Sequence, residues 1–337
     1  MHAPFRRSAA IFAVPVALVL ALGACSSDSS GTADATGSSS TATDDDTGTW
    51  PRTIEHAAGT TEIDEQPVRI VSTSPSITGS LLAIDAPVVA TASAVVSNLT
   101  DDQGFFSQWA DLADERGVEV LYTDLTLDLD AVDSFAPDLI IGSANGGDST
   151  LDSYDQLSEI APTVLLDYSS TDWQSLTAEL GDILGLEDEA AQVTSDYDTW
   201  VTEQATQIEA PEGSVTALVY LGADGVWAYT SDSPQGILLT SLGFDYADVP
   251  EDSATLSSSV AMVSAENMPT ALADFQTIFV IPISSEDEVD SFAADALVSS
   301  VPAVADDQVL SLGGAAFRLD YFSAMETVEA LVAEFGA

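Results

Sequence analysis

The stretch Pro67–Asp85, PVRIVSTSPSITGSLLAID, joins a short apolar run to a helical pattern. The run RIVSTS has the length and composition of a buried parallel strand, and SITGSLLAID has the apolar spacing of a helix. Further strands are predicted at VVATAS (88–93), DLIIGS (138–143), TVLLDY (163–168), VTALVYLG (215–222), GVWAYT (225–230), TIFVIPI (277–283) and QVLSLG (308–313). Helical patterns separate most of these runs. Alternating strands and helices predict an α/β fold with a mostly parallel sheet in each half.

One long helix is predicted between the two halves. Residues 187–209 contain no glycine or proline, and their apolar side chains fall on one side. A single helix of this length spans roughly 34 Å at 1.5 Å per residue, which is enough to link two lobes. The alternative is a pair of helices divided near Ser195. We therefore expect an N-terminal lobe over 50–186, a bridging helix over 187–210 and a C-terminal lobe over 211–337.

Residues 1–24 have the features of an export signal. Two arginines precede an apolar run over residues 9–22, and LGAC ends at Cys25, the only cysteine of the chain. LGAC resembles the bacterial lipobox, which implies diacylation of Cys25 and anchoring to the outer face of the cytoplasmic membrane. The alternative is an ordinary signal with a chance cysteine. Residues 25–49 lack large apolar side chains, so we expect them to form a disordered tether.

The charge balance of the chain excludes several functions. There are 6 Lys+Arg, none of them lysine, against 56 Asp+Glu, and the net charge is -50. This charge excludes nucleic acid and anionic lipid as electrostatic partners, and it reflects either a saline habitat or a general compositional bias. With one cysteine and two histidines, His2 and His56, the chain lacks the ligands for a zinc site, although an all-oxygen calcium site stays open. After signal cleavage, His56 is the only imidazole left as a general base.

Two α/β lobes joined by one long helix, behind a lipoprotein signal, resemble the class III solute-binding proteins of ABC importers. The strings that carry the resemblance are PVRIVSTSPSITGSLLAID, APDLIIGS, YDQLSEIAPTVLLD, LGDILGLEDEAAQV, SPQGILLTSLGF and FRLDYFSAM. Within the family, DDQGFFSQW and FRLDYFSAM are most similar to binders of ferric catecholate siderophores.

The resemblance implies two Rossmann-like lobes and a monomer that is not an enzyme and needs no cofactor. It also implies capture of an enterobactin-like ferric siderophore and its delivery to an ABC permease and its ATPase. The siderophore itself holds the iron, so no residue of the chain is expected to bind metal directly.

The ligand is expected in a cleft between the lobes, because open α/β sheets bind ligands beside the carboxyl ends of their strands. Arg318 follows the last predicted strand and precedes the last helix. Its guanidinium could donate charge-assisted hydrogen bonds to catecholate oxygens, a role that the resemblance also implies; the alternative is an ion pair with Asp320 or another of the many acidic residues. Trp227 and Tyr229 share one face of a strand and either stack on catechol rings or pack in the core.

Other candidates are polar residues of the predicted cleft loops. The further ligand contacts are Ser74, Asn98, Asn145 and Tyr321. The resemblance implies that Glu266 contacts the permease. The chain departs from the family at Asn98, near the place of a basic residue in the catecholate binders, and at Gly79, where many members have a glutamate.

Both the ligand and the function have alternatives. A hydroxamate siderophore, haem or cobalamin fits the same class, although haem would need Tyr229 or Tyr321 as its axial ligand. A secreted hydrolase predicts a nucleophile with a base, and the chain has no Gly-x-Ser-x-Gly elbow. A surface adhesin or sensor lipoprotein predicts the same fold without a small-molecule ligand.

Overall fold

The first lobe is built on a parallel sheet. A computed structural model describes residues 49–169, 171–285 and 287–336. The strands of this lobe are β1 (Arg52–His56), β2 (Gly59–Ile63), β3 (Ile70–Ser72), β4 (Val88–Thr91), β5 (Glu119–Val120), β6 (Leu139–Ser143) and β7 (Thr163–Leu166). The helices are α1 (Pro75–Ala83), α2 (Ser107–Arg116), α3 (Leu129–Ser134), α4 (Tyr154–Ser158) and α5 (Trp173–Leu184). The predicted signal peptide, Cys25 and the tether up to residue 48 lie outside the described residues.

The order of the first sheet is β5-β4-β3-β6-β7, and every pairing in it is parallel. The strands β1 and β2 form a separate antiparallel hairpin. Neighbouring side chains of the central strands enter different cores: Ile70 and Ile141 pack in one cluster, and Val71 and Ile140 pack in another. Both faces of the sheet are therefore covered, which is why these strands are continuous apolar runs in the sequence.

The bridging segment is a single helix, α6 (Glu187–Ala205). The alternative of two helices divided near Ser195 is therefore wrong. At 19 residues the helix is about 28 Å long. It ends before the predicted residue 210, because Ile208 bridges to Gly336 and the Glu209 N–H donates to the Phe335 carbonyl at 2.9 Å. No helix in the described ranges is long and apolar enough to cross a membrane.

The second lobe is built on a mixed sheet. Its strands are β8 (Ser214–Tyr220), β9 (Val226–Tyr229), β10 (Asp245–Tyr246), β11 (Thr255–Ser257), β12 (Val260–Val263), β13 (Thr277–Val280) and β14 (Val309–Ser311). Its helices are α7 (Pro234–Ser241), α8 (Met268–Ala271), α9 (Asp287–Ala293), α10 (Pro302–Ala305) and α11 (Tyr321–Phe335). The sheet order is β11-β12-β9-β8-β13-β14, with β10 paired to β8.

The predicted α/β fold is confirmed. The sequence did not predict the antiparallel part of the second sheet. The strands β10, β8, β13 and β14 pair in parallel, whereas β9 pairs with β8, and β12 with both β9 and β11, in the antiparallel sense. Only residues 221–225 connect β8 to β9, and a parallel crossover needs a dozen or more residues. Gly225 allows this turn: its φ is +100°, and a Cβ there would lie 2.0 Å from the Val263 carbonyl oxygen.

The two lobes also meet away from α6. A Cβ on Gly79 of α1 would lie 2.2 Å from Oδ2 of Asp320, which caps α11. Trp173 of α5 packs in the core of the second lobe, with its ring 4.8 Å from Tyr197 and 5.9 Å from Tyr321. Each lobe therefore provides side chains that are buried by the other.

Candidate functional site

A cavity of about 860 Å³ lies between the two lobes. Four helices begin beside it, namely α1, α5, α7 and α11, because the N-terminus of each helix follows the carboxyl end of a strand. The lining side chains used below are Ser76, Ser80, Tyr168, Asp172, Trp173, Trp227, Tyr229, Asp232, Gln235, Val260, Arg318 and Asp320. The volume is typical of a small-molecule site.

Arg318 crosses this cavity from the second lobe to the first. It follows a 3-10 turn over Gly314–Phe317, and its side chain is half-buried. Its Nη1 donates to Ser76 Oγ at 3.0 Å. Its Cζ lies 5.0 Å from the ring centroid of Tyr168 and 5.7 Å from that of Phe317, within the range of cation–π attraction.

Arg318 has no carboxylate partner within the described residues. The ion pairs found there join Arg52 to Glu187 and Arg116 to Asp85. Asp320, the alternative partner, instead caps α11, and its Oδ1 accepts from the Ser323 N–H at 2.8 Å. Burial raises the pKa of Asp320, and the hydrogen bonds from Ser323 oppose this shift. The alternative of an Arg318–Asp320 ion pair is therefore wrong, and several of the five guanidinium N–H groups remain for a ligand.

A buried carboxylate lies behind the ring that Arg318 covers. Asp148 is 5% exposed, and its Oδ1 accepts from the Tyr168 hydroxyl at 2.9 Å. Its Oδ2 accepts from Ser74 Oγ at 2.5 Å and from the Ser76 N–H at 3.4 Å. Burial raises the pKa of Tyr168, and the positive charge of Arg318 opposes that shift. Ser74, predicted as a ligand contact, thus belongs to the layer behind the cavity and does not line it.

An apolar part of the cavity wall comes from the antiparallel strands. Trp227 and Tyr229 of β9 lie directly opposite Met262 and Val260 of β12, so all four share one face of the sheet. Trp227 is 36% exposed, and Tyr229 is 8% exposed. Burial raises the pKa of Tyr229, an effect that Arg318 opposes. The alternative that both aromatics are buried in the core is wrong for Trp227, whose exposed indole can stack on a flat ligand.

Two further residues that were predicted to contact the ligand instead stabilise the structure around the cavity. Asn145 follows β6, and its amide nitrogen donates to Asp167 and Ser169, which follow β7. This bond ties two adjacent loops of the first lobe together. Tyr321 is the first residue of α11, and its ring packs against Trp173 and Tyr197. Neither Asn145 nor Tyr321 is among the side chains that line the cavity.

Asn98 and Glu266 are exposed and also lie outside the cavity lining. The side-chain amide of Asn98 is placed to donate to the carbonyl oxygens of Ile283 at 3.1 Å and Ser284 at 3.3 Å. Asn98 therefore joins a loop of the first lobe to a loop of the second. Glu266 lies in a 3-10 turn over Ala265–Asn267, where its carboxylate faces solvent.

Several lining residues were not singled out from the sequence. Tyr168 ends the predicted strand TVLLDY, and Gln235 follows the predicted strand GVWAYT. The signal for Tyr168 was its place at the carboxyl end of a parallel strand. Ser80 lies within a helix, and a single serine there gives no signal by itself.

Histidine and metal chemistry are not found at this site. In the described ranges, no group of three or more His, Cys, Asp or Glu side chains could hold a metal ion. His56 lies on β1, its Nε2 is 2.9 Å from Thr61 Oγ1, and burial lowers its pKa. His56 is not among the residues that line the cavity.

Two α/β lobes, one bridging helix and an interlobe cavity define a class of solute-binding protein. Residues 70–316 match the model of the family described as "Periplasmic binding protein", which is more than half of the chain. The chain therefore belongs to this family.

Curated relatives point to iron uptake. The chain is 41% identical over 293 residues to the ferric enterobactin-binding periplasmic protein FepB of Escherichia coli O6:H1, covering 85% of this chain and 91% of the relative. It is 28% identical over 229 residues to the probable siderophore-binding lipoprotein YfiY of Bacillus subtilis, covering 67% of this chain and 64% of the relative. Both relatives are named as binding proteins.

Solved structures share the architecture. The structure titled holo-ViuP superposes with a TM-score of 0.77 at 33% identity, covering 86% of this chain and 96% of that one. PiaA of Streptococcus pneumoniae in complex with ferrichrome superposes with a TM-score of 0.67 at 20% identity, covering 83% and 96%, and this likeness shows the fold alone. The predicted two-lobed fold is thus confirmed by structures as well as by the family match.

Proposed function

We propose that the chain captures a ferric catecholate siderophore in the interlobe cavity for an iron-siderophore ABC importer. The observation that carries this proposal is Arg318, a half-buried cation in the cavity with no carboxylate partner among the described residues. Three catecholates on Fe(III) form a triple anion, and its oxygens accept strong hydrogen bonds from a guanidinium. The likeness to the ferric enterobactin-binding relative supports a catecholate as the ligand.

The apolar strand surface that also lines the cavity supports the same ligand class. The exposed indole of Trp227 and the neighbouring Val260 offer a flat apolar surface. Catechol rings are flat and aromatic, so they can stack on this surface while their oxygens face Arg318. One ligand would thus contact both Arg318 and this apolar surface of the second lobe.

The remaining parts of the proposal concern anchoring and delivery. Cys25 would carry the lipid that holds the protein at the outer face of the cytoplasmic membrane, and residues 25–49 would be its tether. The exposed carboxylate of Glu266 would contact the permease. The protein would act as a monomer without a cofactor and without enzymatic activity, as the binding-protein relatives support.

Fluorescence quenching tests the ligand class, because Trp227 lies in the cavity and reports on its occupancy. The chain is titrated with ferric enterobactin, ferrichrome, haemin and cobalamin under identical conditions. We expect ferric enterobactin to bind at least about tenfold more tightly than the other three, a difference of about 1.4 kcal/mol. Trp227→Phe is the control, since it keeps a ring in the wall and removes one of the two indoles, Trp173 and Trp227, that line the cavity.

The other outcomes are also decisive. Preferential binding of ferrichrome, haemin or cobalamin would keep a transport function and discard the catecholate. Binding of none of the four would contradict transport of these ligands and favour the adhesin or sensor function.

A further inference from the structure

A buried carboxylate is hydrogen-bonded to the two residues of the first lobe that contact Arg318. Asp148 is 5% exposed and is not among the side chains that line the cavity. Its Oδ1 accepts from the Tyr168 hydroxyl at 2.9 Å, and its Oδ2 accepts from the Ser76 N–H at 3.4 Å and from Ser74 Oγ at 2.5 Å. The ring of Tyr168 and the hydroxyl of Ser76 contact the Arg318 guanidinium. Asp148 therefore reaches Arg318 only through these neighbours.

The turn that carries Asp148 leaves room for the Tyr168 hydroxyl because residue 146 is a glycine. Gly146 has a φ of +77°, and a Cβ there would lie 2.0 Å from the Tyr168 hydroxyl oxygen and 3.2 Å from Asp148 Oδ1. The Ser149 N–H donates to the Gly146 carbonyl at 3.4 Å, which closes the turn. Any side chain at position 146 would displace the hydroxyl from the carboxylate. The local structure thus supports this hydrogen bond independently of Asp148 itself.

The charge of Asp148 is not explained by packing. The ion pairs found in the described ranges join other residues. A buried charge is costly, so a neutral side chain would fill the same space at a lower cost. Tyr168 feels both charges: burial raises its pKa, the positive charge of Arg318 lowers it, and the negative charge of Asp148 raises it. The carboxylate is therefore part of one electrostatic unit with Tyr168 and Arg318.

Arg318 needs such partners because its backbone does not fix its side chain. It lies between a 3-10 turn and α11, and its own backbone is extended. A long side chain loses rotamer freedom when a ligand immobilises it, and this loss weakens binding. A guanidinium that is already held in place avoids most of this loss.

We propose that Asp148 is a positioning residue for Arg318. By accepting hydrogen bonds from the Tyr168 hydroxyl and the Ser76 N–H, it fixes the groups that hold the guanidinium in the cavity before the ligand binds. This inference rests on the proposed function and deepens it, because a fixed guanidinium favours the anionic oxygens of a ferric catecholate. The negative charge of Asp148 by itself repels that ligand. Loss of positioning and loss of charge therefore change the affinity in opposite directions.

Three variants test the proposal by their affinity for ferric enterobactin. Asp148→Ala removes the acceptor and should weaken binding about fivefold, because the ligand must then immobilise Arg318. Tyr168→Phe keeps the ring, removes the hydroxyl and should weaken binding about threefold. Asp148→Asn removes the charge, but its amide oxygen still accepts from Tyr168. Its affinity should therefore be at most about twofold weaker than that of wild type.

Two controls separate positioning from a general loss of structure. Asp138→Ala removes the same charge from the first lobe, where Asp138 accepts from the N–H groups of Val68 and Arg69 at 2.9 Å. Asp138 does not line the cavity, so its loss should change the affinity by less than about twofold. In the Arg318→Ala chain, Asp148→Ala should weaken binding no further, because positioning acts only through Arg318. A structural defect would instead add to the loss.

The order of the Arg318 side chain tests the proposal without a siderophore. The chain has six arginines and no lysine, so the Nε–H signals of its arginines can be assigned one by one by NMR. The heteronuclear NOE of Arg318 Nε then reports its motion on the picosecond-to-nanosecond timescale. We expect an ordered side chain in wild type and in Asp148→Asn, and a mobile one in Asp148→Ala. Tyr168→Phe should also increase the mobility, and it serves in place of Asp148→Ala if that variant does not fold.

The outcomes separate this inference from the proposed function. If loss of the acceptor leaves Arg318 as ordered as in wild type, or leaves the affinity unchanged or increased, Asp148 does not position Arg318. A further loss of affinity in the Arg318→Ala chain would contradict the proposal as well. If the wild-type chain does not bind ferric enterobactin, the proposed function itself is wrong, and the NMR comparison still decides the role of Asp148.

Discussion

The two lobes contribute unlike walls to one cavity. From the first lobe, Ser76 and Tyr168 hold Arg318 in front of the buried carboxylate of Asp148. From the second lobe, Trp227 is exposed on an antiparallel strand. Arg318 itself belongs to the second lobe and reaches the first. A ligand that pairs with Arg318 and stacks on Trp227 therefore contacts the second lobe through both interactions, while the first lobe holds the Arg318 side chain.

The difference follows from how the strands are connected. In the five-stranded sheet of the first lobe, long crossovers return every strand in parallel, so helix N-termini and short polar loops face the cavity. In the second lobe, the short connection over 221–225 reverses β9 and adds an antiparallel extension. The extension turns one face of β9 and β12 towards the cavity, which exposes an aromatic side chain that a doubly covered sheet would bury.

Trp173→Ala should have the largest effect, because this side chain joins the lobes. Trp173 comes from α5 of the first lobe, is 7% exposed and packs in the core of the second lobe. Truncating a buried tryptophan costs about 3–5 kcal/mol of unfolding free energy, measured by urea denaturation. Trp200→Ala, at a partly exposed position on α6, is the control and should cost clearly less. Equal losses would mean that the lobes do not share this core.

Gly79→Ala tests the close contact between α1 and α11. The added methyl group would lie 2.2 Å from Asp320 Oδ2 and 3.0 Å from Trp109 Cδ1. We expect a loss of about 1–3 kcal/mol in the free energy of unfolding, since overpacking forces one helix to shift. Gly147→Ala is the matched control, because the nearest atom to its added Cβ is Leu125 Cδ1 at 4.0 Å. A neutral Gly79→Ala would contradict the close packing of the lobes.

The pH dependence of the stability of Asp320→Asn tests the charge at the same contact. Burial raises the pKa of Asp320, so the folded chain holds this proton more tightly than the unfolded chain does. Stability from this group is present at low pH and is lost as pH rises from the unfolded pKa, about 3.9, towards the raised folded pKa. Asparagine also caps helices well and carries no charge. The free energy of unfolding of the variant, relative to wild type, should therefore increase between pH 4 and pH 7. A constant difference would show that the buried carboxylate does not titrate in this way.

A change in salt concentration should have the smallest effect, and the direction in which it changes the ligand affinity is informative. The chain has a net charge of -50, so it repels a triply anionic ferric catecholate at long range. Raising the ionic strength from about 0.05 M to 0.5 M shortens the Debye length and screens this repulsion. We expect the affinity for ferric enterobactin to rise a few-fold while that for neutral ferrichrome stays constant. A falling affinity for enterobactin would mean that attraction by Arg318 dominates the whole surface charge.

The sequence predicted the parts of the fold that depend on local pattern. The apolar runs of β3, β6 and β8 and the helix α6 are long enough or apolar enough to be recognised alone. The antiparallel strands β11 and β12 were missed, because each is short and its pairing depends on the reversal of β9. For the same reason the exposure of Trp227 could not be read from its strand.

The sequence predicted which loops surround the candidate site, but only some of the residues that line it. Arg318 was found because cations are rare in this chain and because of its place before the last helix. Ser74 and Asn145 were placed in the correct loops, yet their side chains face Asp148 and Asp167. Gln235 was not predicted to line the cavity. The position of its side chain depends on hydrogen bonds to the carbonyl oxygens of Ala316 and Phe317, which come from a distant segment.

The most direct test of the central claim compares two single losses of positive charge. Affinity for ferric enterobactin is measured for wild type, Arg318→Ala and Arg69→Ala. Arg69 is exposed, donates to the Phe135 carbonyl and does not line the cavity, so its loss matches the change in net charge. We predict that Arg318→Ala weakens binding by at least about tenfold, or 1.4 kcal/mol, and that Arg69→Ala changes it by less than about twofold. Equal effects of the two substitutions would contradict the role of Arg318 as the ligand-binding cation of the cavity.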